Sequence, residues 1–331
     1  MTAPIVLEQI TDISACLSSP DKSIQFPGPV KLDDSLREYV SALAITFKNL
    51  QVVDGTLEYL GYSWRGHMDK RVVDGTWIRF RKMPAISPNL DSLPTRLPEA
   101  VFKFLIDAKL SEGGLVLIAG PAGSGKTTTA SASVVTRLML HEGFCLTVED
   151  PPENPLNGWH GKGYCSQTWV QVQGATPWGD ALKGVLRSQP VGTPSMLFVG
   201  EVREDEAARV ALQAAGNGFL VICTSFATDM PSAVQSFGDR LDKSQLEAFG
   251  KLLKGVVFQK LEAKFLQVHL LESNLSLQQM IGQGKYQSIA GETQRQANER
   301  LYLGGKSSPP NISAATPQRI PNPLGLNLTG S

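Results

Sequence analysis

A chain of 331 residues, 42% hydrophobic and 19% charged, has the composition of a folded globular protein and enough length for two domains. Its 31 basic and 31 acidic residues cancel, so no global field draws it to nucleic acid or to anionic lipid. The four cysteines, Cys16, Cys145, Cys165 and Cys223, form no C-x-x-C pair, which argues against a disulfide framework or a zinc site and for reduced thiols in a cytoplasmic setting.

The opening MTAPIVLEQITDIS carries acidic residues and lacks a basic region with a long apolar stretch, so it does not read as a signal peptide. No apolar run approaches the roughly 20 residues that span a bilayer, and any membrane link is expected to come through a partner. Residues 36–82 combine a helix-like stretch, SLREYVSALAITFKNL, with strand-like runs LEYLGYSW and TWIRFRKM, the pattern of a small α+β domain. Pro84, Pro88, Pro94 and Pro98 then recur too often for a regular element and suit a semi-rigid connection. From Leu115 short apolar runs (LVLIAG, FCLTVED, SMLFVGE, FLVICTS) alternate with helical segments, among them a helix to about His141 and the small-residue helix EAARVALQAAG. This alternation predicts a parallel sheet with helices on its faces. Beyond Asp239 the chain reads as mostly helical with one strand-like run, KFLQVHLLE. From Gly304 its Pro, Gly, Ser and Asn content predicts disorder. The expected units are thus 1–98, 99–303 and a tail at 304–331.

The segment GPAGSGKT satisfies G-x-x-x-x-G-K-[ST] at Gly120, Gly125, Lys126 and Thr127, directly between a strand and a helix. Its glycines let backbone N–H groups turn inward, and the following helix adds positive potential where phosphates would sit. Gly120, Pro121, Ala122, Gly123, Ser124, Gly125, Lys126, Thr127 and Thr128 are therefore the expected ATP cradle, with Lys126 on the β and γ phosphates and Thr127 on Mg²⁺. Glu149, Asp150 and Glu153 cluster at the end of one predicted strand, and Glu201 ends the next. Ligands gather at such strand ends in open parallel sheets. Hydrolysis needs a metal clamp and a carboxylate that activates water, roles that Glu153 and Glu201 can divide. Arg187 and Arg203 are candidates to neutralise charge on the γ-phosphate. The plain alternative for all of these acids and arginines is a solvated or ion-paired surface group.

At this point the chain resembles the ATPases of type IV pili and of type II and type IV secretion, nearest to the PilT-like retraction ATPases, over roughly residues 64–290. GPAGSGKTTTA resembles their Walker A loop, LTVEDPPE their acidic box, and LFVGEVRE their Walker B strand. LKGVLRSQP is similar to an arginine-bearing segment, GVVFQKL to a G-V-x-x-Q-R-L element, and FRKMP to the end of a PAS-like N-terminal domain. The resemblance implies a RecA-like core, a smaller PAS-like α+β domain and a helical C-terminal region. It also implies a homo-hexameric motor driven by Mg-ATP at an inner-membrane platform protein, while the balanced charge and the absence of a basic stripe argue against a stable nucleic-acid partner. By position, Glu153 is the general base, Glu201 the Walker B acid, and Arg81 an arginine reaching a neighbouring subunit's nucleotide. SLQQMIGQGKYQSI inclines the reading to pilus retraction over assembly or export.

The chain departs from this family where histidines are usual. Phe219 and Phe226 stand there, and phenylalanine neither titrates nor donates a hydrogen bond. Lys183 replaces a usual arginine, and Gln189 an acid. A nucleotide-binding subunit without turnover, and more weakly a nucleic-acid translocase, are the alternatives. His67, His141, His160 and His269 match no metal-ligand spacing. Trp159, Trp169 and Trp178 lie in a loop-like insert, either packed on their own core or offered to a partner.

Overall fold

The computed structural model describes residues 5–170, 177–262 and 265–304; the tail read as disordered lies outside them, apart from its first residue. The N-terminal unit is one antiparallel sheet with a helix across it. Its strands are β1 (Asp12–Cys16), β2 (Ile24–Phe26), β3 (Val30–Lys31), β4 (Asp54–Tyr59), β5 (Tyr62–Val72) and β6 (Gly75–Lys82), in the order β3-β2-β1-β6-β5-β4. Helix α1 (Arg37–Asn49) buries Tyr39, Val40, Leu43, Ala44 and Phe47, the 3.6-residue spacing of one helical face. That face meets Ile13, Ala15, Trp64, Met68, Ile78 and Phe80, alternate residues that point to the same side of the sheet. The opposite side carries Asp12, Arg65, His67, Arg79 and Arg81, in register across β1, β6 and β5.

Two local expectations are corrected in this unit. LEYLGYSW is no single strand: Leu60 and Gly61, both with positive φ, turn it into a hairpin that pairs Tyr59 with Tyr62. Strands β1 to β3 were not read in the sequence, and β1 supplies the central partner of β6.

Residues 83–98 form a docked strap on the second unit. Ser87, Leu90 and Leu97 are buried, Leu90 N–H donates to Thr136 Oγ1 at 2.8 Å, and both leucines join the core beneath α2 (Glu99–Ile106). A RecA-like sheet follows, built from β7 (Gly114–Gly120), β8 (Phe144–Val148), β9 (Gly158–His160), β10 (Gly163–Ser166), β11 (Ser195–Val199), β12 (Leu220–Phe226), β13 (Leu253–Glu262) and β14 (Phe265–Glu272). The order is β14-β13-β7-β12-β11-β8-β10-β9; the six inner strands are parallel, and β14 and β9 are antiparallel edges.

Strand β7 is buried along its whole length because both faces are covered, so its sequence is continuously apolar rather than alternating. Val116 and Ile118 face α2 and α3 (Lys126–His141). Leu115, Leu117 and Ala119 face α4 (Pro177–Arg187), α5 (Asp205–Gly216), α6 (Met230–Gly238) and α7 (Lys243–Leu252). The chain closes with α8 (Leu275–Gly282) and α9 (Ile289–Gly304). The region beyond Asp239 is helical as expected but holds two strands rather than one, because GVVFQKL is the inner strand β13. Among the described residues no helix is long and apolar enough to cross a membrane.

Candidate functional site

Strand β7 ends at Gly120 and α3 begins at Lys126, so the loop between them sits at the carboxyl end of the sheet under a helix N-terminus. Gly123 and Gly125 take left-handed backbone angles, φ +73° and +80°, that other residues adopt only at a cost. Gly120 is needed for a second reason: a Cβ there would run into the Gln259 carbonyl oxygen. Ala122, Gly123, Gly125, Lys126, Thr127 and Thr128 line a cavity of about 480 Å³. Gly120, Pro121 and Ser124 are outside that lining, and Ser124 is buried. Lys126 Nζ donates to the Pro121 carbonyl at 2.8 Å, holding the ammonium at the loop.

All four sequence-selected acids line the same cavity. Burial pulls the Lys126 ammonium below the usual lysine value, while the nearby Glu201 and Glu153 carboxylates oppose that shift. Glu153 is exposed and Glu201 half-buried. Glu149 differs from both. Its side chain is 1% exposed, and burial pushes its carboxyl up to about 7 even though Gln167 Nε2 donates to Oε1 at 2.8 Å. Gly200 makes room for it, since a Cβ at 200 would lie 3.1 Å from Glu149 Cγ.

The arginines divide. Arg81, projecting from the outward face of β6, lines the cavity of its own chain and pairs with Asp12 at 2.9 Å. Arg203 also lines it, but its guanidinium is engaged by Glu201 at 2.5 Å, so its charge faces a carboxylate. Arg187 does not join them: it is exposed at the end of α4 and outside the cavity lining. Lys183 pairs with Glu206 at 3.5 Å on the surface.

The two phenylalanines have unlike settings. Phe219 is fully buried in the core, whereas Phe226 is 55% exposed and lines the cavity. Of the tryptophans, Trp178 is buried and also lines the cavity, Trp169 pairs with Glu149 through a backbone β-bridge, and Trp159 is 73% exposed against Tyr164 on the edge hairpin. Among the described residues the insert thus offers one tryptophan to the core and one to the surface, and residues 171–176 lie outside them.

Three residues at the site were given no role in the sequence. Gln167 ties Glu149 to the acidic loop, donating also to the Asn154 carbonyl at 2.8 Å while its Oε1 accepts from Leu156 N–H at 3.0 Å. Thr224, on the cavity wall, donates to the Gly200 carbonyl. Gln259 lies beneath the phosphate loop. Its only sequence signal was its place in GVVFQKL.

The chain also matches known proteins. A family model described as type II/IV secretion system protein matches residues 73–285. The chain is 32% identical over 165 residues to type II secretion system protein E of Klebsiella pneumoniae, covering 50% of this chain and 31% of that one. It is 35% identical over 150 residues to the type IV pilus assembly ATPase PilB of Thermus thermophilus, covering 45% and 15%. These matches thus span under a third of the length of either curated relative. Among solved structures it is similar to the pilus retraction motor PilT with bound ADP, with TM-score 0.71 at 22% identity over 92% of this chain and 94% of that one, a likeness of fold. With the family model spanning well over half of the 331 residues, the chain belongs to the type II/IV secretion system protein family.

Proposed function

We propose that this chain is the Mg-ATP-hydrolysing motor subunit of a pilus or secretion machine. The observation that carries the reading is a single cavity in which the loop lysine Lys126 meets Glu153 and Glu201 under a helix N-terminus. Lys126 and the loop amides bind the phosphates, with Thr127 and Thr128 at the helix start. Glu153, exposed to solvent, takes a proton from the attacking water; Asp150 and Glu149 shape the field behind it.

The oxygen donors of Thr127 and Glu201 suit a hard cation such as Mg²⁺ and would hold it at the phosphate loop. When bound, that ion neutralises charge on the transferring phosphoryl group. Release of Arg203 from Glu201 would then free a cation to face the γ-phosphate.

Arg81 extends this reading from binding to motion. It belongs to the N-terminal sheet yet lines the nucleotide cavity, which supports coupling between residues 1–98 and the ATPase unit 99–303. In a homo-hexamer, presentation of Arg81 to a neighbour's nucleotide instead of to its own chain's cavity would contribute about 10³ to 10⁵ in rate, so the assembled ring would turn over faster than an isolated chain. The partner is an inner-membrane platform protein reached from the cytoplasm, with contact to the membrane only through partners and no stable nucleic acid. The PilT-like SLQQMIGQGKYQSI segment favours retraction.

A second reading, a nucleotide-binding subunit with weak or no turnover, is favoured by the apolar Phe226 on the cavity wall. Phosphate release from Mg-ATP separates the two. The motor reading expects turnover that Glu153→Gln lowers by at least about 100-fold while ATP binding persists. Equal rates in wild type and variant contradict the role of Glu153, and no release at any assembly state favours the second reading.

A further inference from the structure

Strand β13 runs parallel to β7, with Phe258 opposite Ala119, so residue 259 lies where β7 gives way to the phosphate loop. Gln259 is fully buried there. Its Nε2 donates to the Ser124 carbonyl. Its own carbonyl oxygen abuts Gly120, and its Nε2 would lie 3.3 Å from a Cβ at Gly125. One side chain and its backbone therefore touch the start, middle and end of the loop.

The same spot holds two buried polar atoms, Gln259 Oε1 and Ser124 Oγ, with no hydrogen-bond partner among the described residues. Unpaired buried polar atoms are costly in an apolar sheet, so this spot stands out from the packed core around it. Beyond Gln259 the strand turns into the β13–β14 hairpin, paired from Gly255 opposite Glu272 to Glu262 opposite Phe265. Helix α9 grips that hairpin: Arg300 Nη1 donates to the Leu270 carbonyl at 2.7 Å, and Gln296 Nε2 to the Glu272 carbonyl at 2.9 Å.

We infer that Gln259 is a positioning residue that sets the phosphate loop and couples its occupancy to the β13–β14 hairpin and the C-terminal helices. By holding the Ser124 carbonyl inward, Gln259 leaves the next amides, of Gly125 and Lys126, free to face phosphate. Because coupling between sites is reciprocal, whatever displaces the hairpin changes nucleotide affinity, and nucleotide binding stiffens the hairpin. The inference rests on ATP binding at this loop, as proposed above.

The test uses the full chain with two near-isosteric substitutions. Gln259→Met removes both polar ends of the side chain and so also removes a buried orphan. It is expected to keep the nucleotide-free thermal midpoint within about 4 °C of wild type while weakening ATP binding about tenfold by calorimetry. Gln259→Glu keeps the shape but sets an acceptor against the Ser124 carbonyl, with an expected loss of about 100-fold. In wild type, ATP is expected to slow amide hydrogen exchange along β13 and β14, and Gln259→Met to abolish that effect. A folded Gln259→Met that binds ATP within twofold of wild type overturns the inference. So does an exchange pattern of β13 and β14 in wild type that ATP leaves unchanged, whichever variants fold. A wild type that binds no ATP instead overturns the proposed function on which the inference rests.

Discussion

Replacing Glu149 by glutamine probes the electrostatics of the cavity without altering its shape. The carboxyl is held out of water behind Gly200, and its backbone is fixed on both sides, Glu149 N–H to the Thr168 carbonyl at 3.1 Å and Val170 N–H to the Glu149 carbonyl at 2.8 Å. It cannot swing out to solvent, so the folded protein holds its proton up to about pH 7, whereas an unfolded chain releases it near 4.5. Between those values the native state binds more protons than the unfolded one. Stability from this group is therefore complete below about pH 4.5, falls as pH rises, and is lost above about 7. At about 1.4 kcal/mol per pH unit, the gap amounts to roughly 3 kcal/mol. Glutamine carries no such penalty, and its carbonyl still accepts from Gln167 Nε2. Urea unfolding at a series of pH values should therefore show Glu149→Gln close to wild type at pH 5 and more stable by about 2–3 kcal/mol at pH 8. A difference between the two proteins that stays constant from pH 5 to 8 would refute the reasoning.

Gly120→Ala drives a Cβ into the Gln259 carbonyl, so calorimetry should find ATP binding weakened at least about 100-fold in a protein whose circular dichroism is native; affinity within twofold of wild type refutes the close approach. Phe219→His tests whether restoring a usual family residue restores its use. Because position 219 is fully buried among apolar groups, the imidazole should lower the thermal midpoint by roughly 5–10 °C without raising turnover, and an unchanged midpoint with faster hydrolysis would contradict that placement.

The phosphate loop was legible because its determinants are contiguous: an apolar strand, a glycine turn and a helix follow one another within 28 residues of chain. The acids were legible for a related reason, since strand ends in a parallel sheet all point to one edge. What stayed hidden depends on strand order. Gln259 contacts Ser124 across 135 positions of sequence, a pairing created only by β13 lying beside β7. Strand β13 was itself obscured because α7 ends at Leu252 and the strand begins at Leu253 with no turn residue between them. Strands β2 and β3, of three and two residues, are too short for a period-two pattern to register. The burial of Glu149 could not be told from the exposure of Glu153 four positions later, since it requires the glycine at 200 and the glutamine at 167. Phe219 and Phe226 read alike as letters, yet one packs in the core and the other lines the site.

The central claim is that the loop from Gly120 to Thr127 binds Mg-ATP, and calorimetric titration of Mg-ATP into the full chain tests it most directly. Wild type should saturate at one nucleotide per chain, and Lys126→Ala, which removes the one ammonium held at the loop by the Pro121 carbonyl, should weaken binding at least tenfold, about the loss of one charged hydrogen bond. Equal affinity in the two proteins, or no binding by the wild type, would contradict the account.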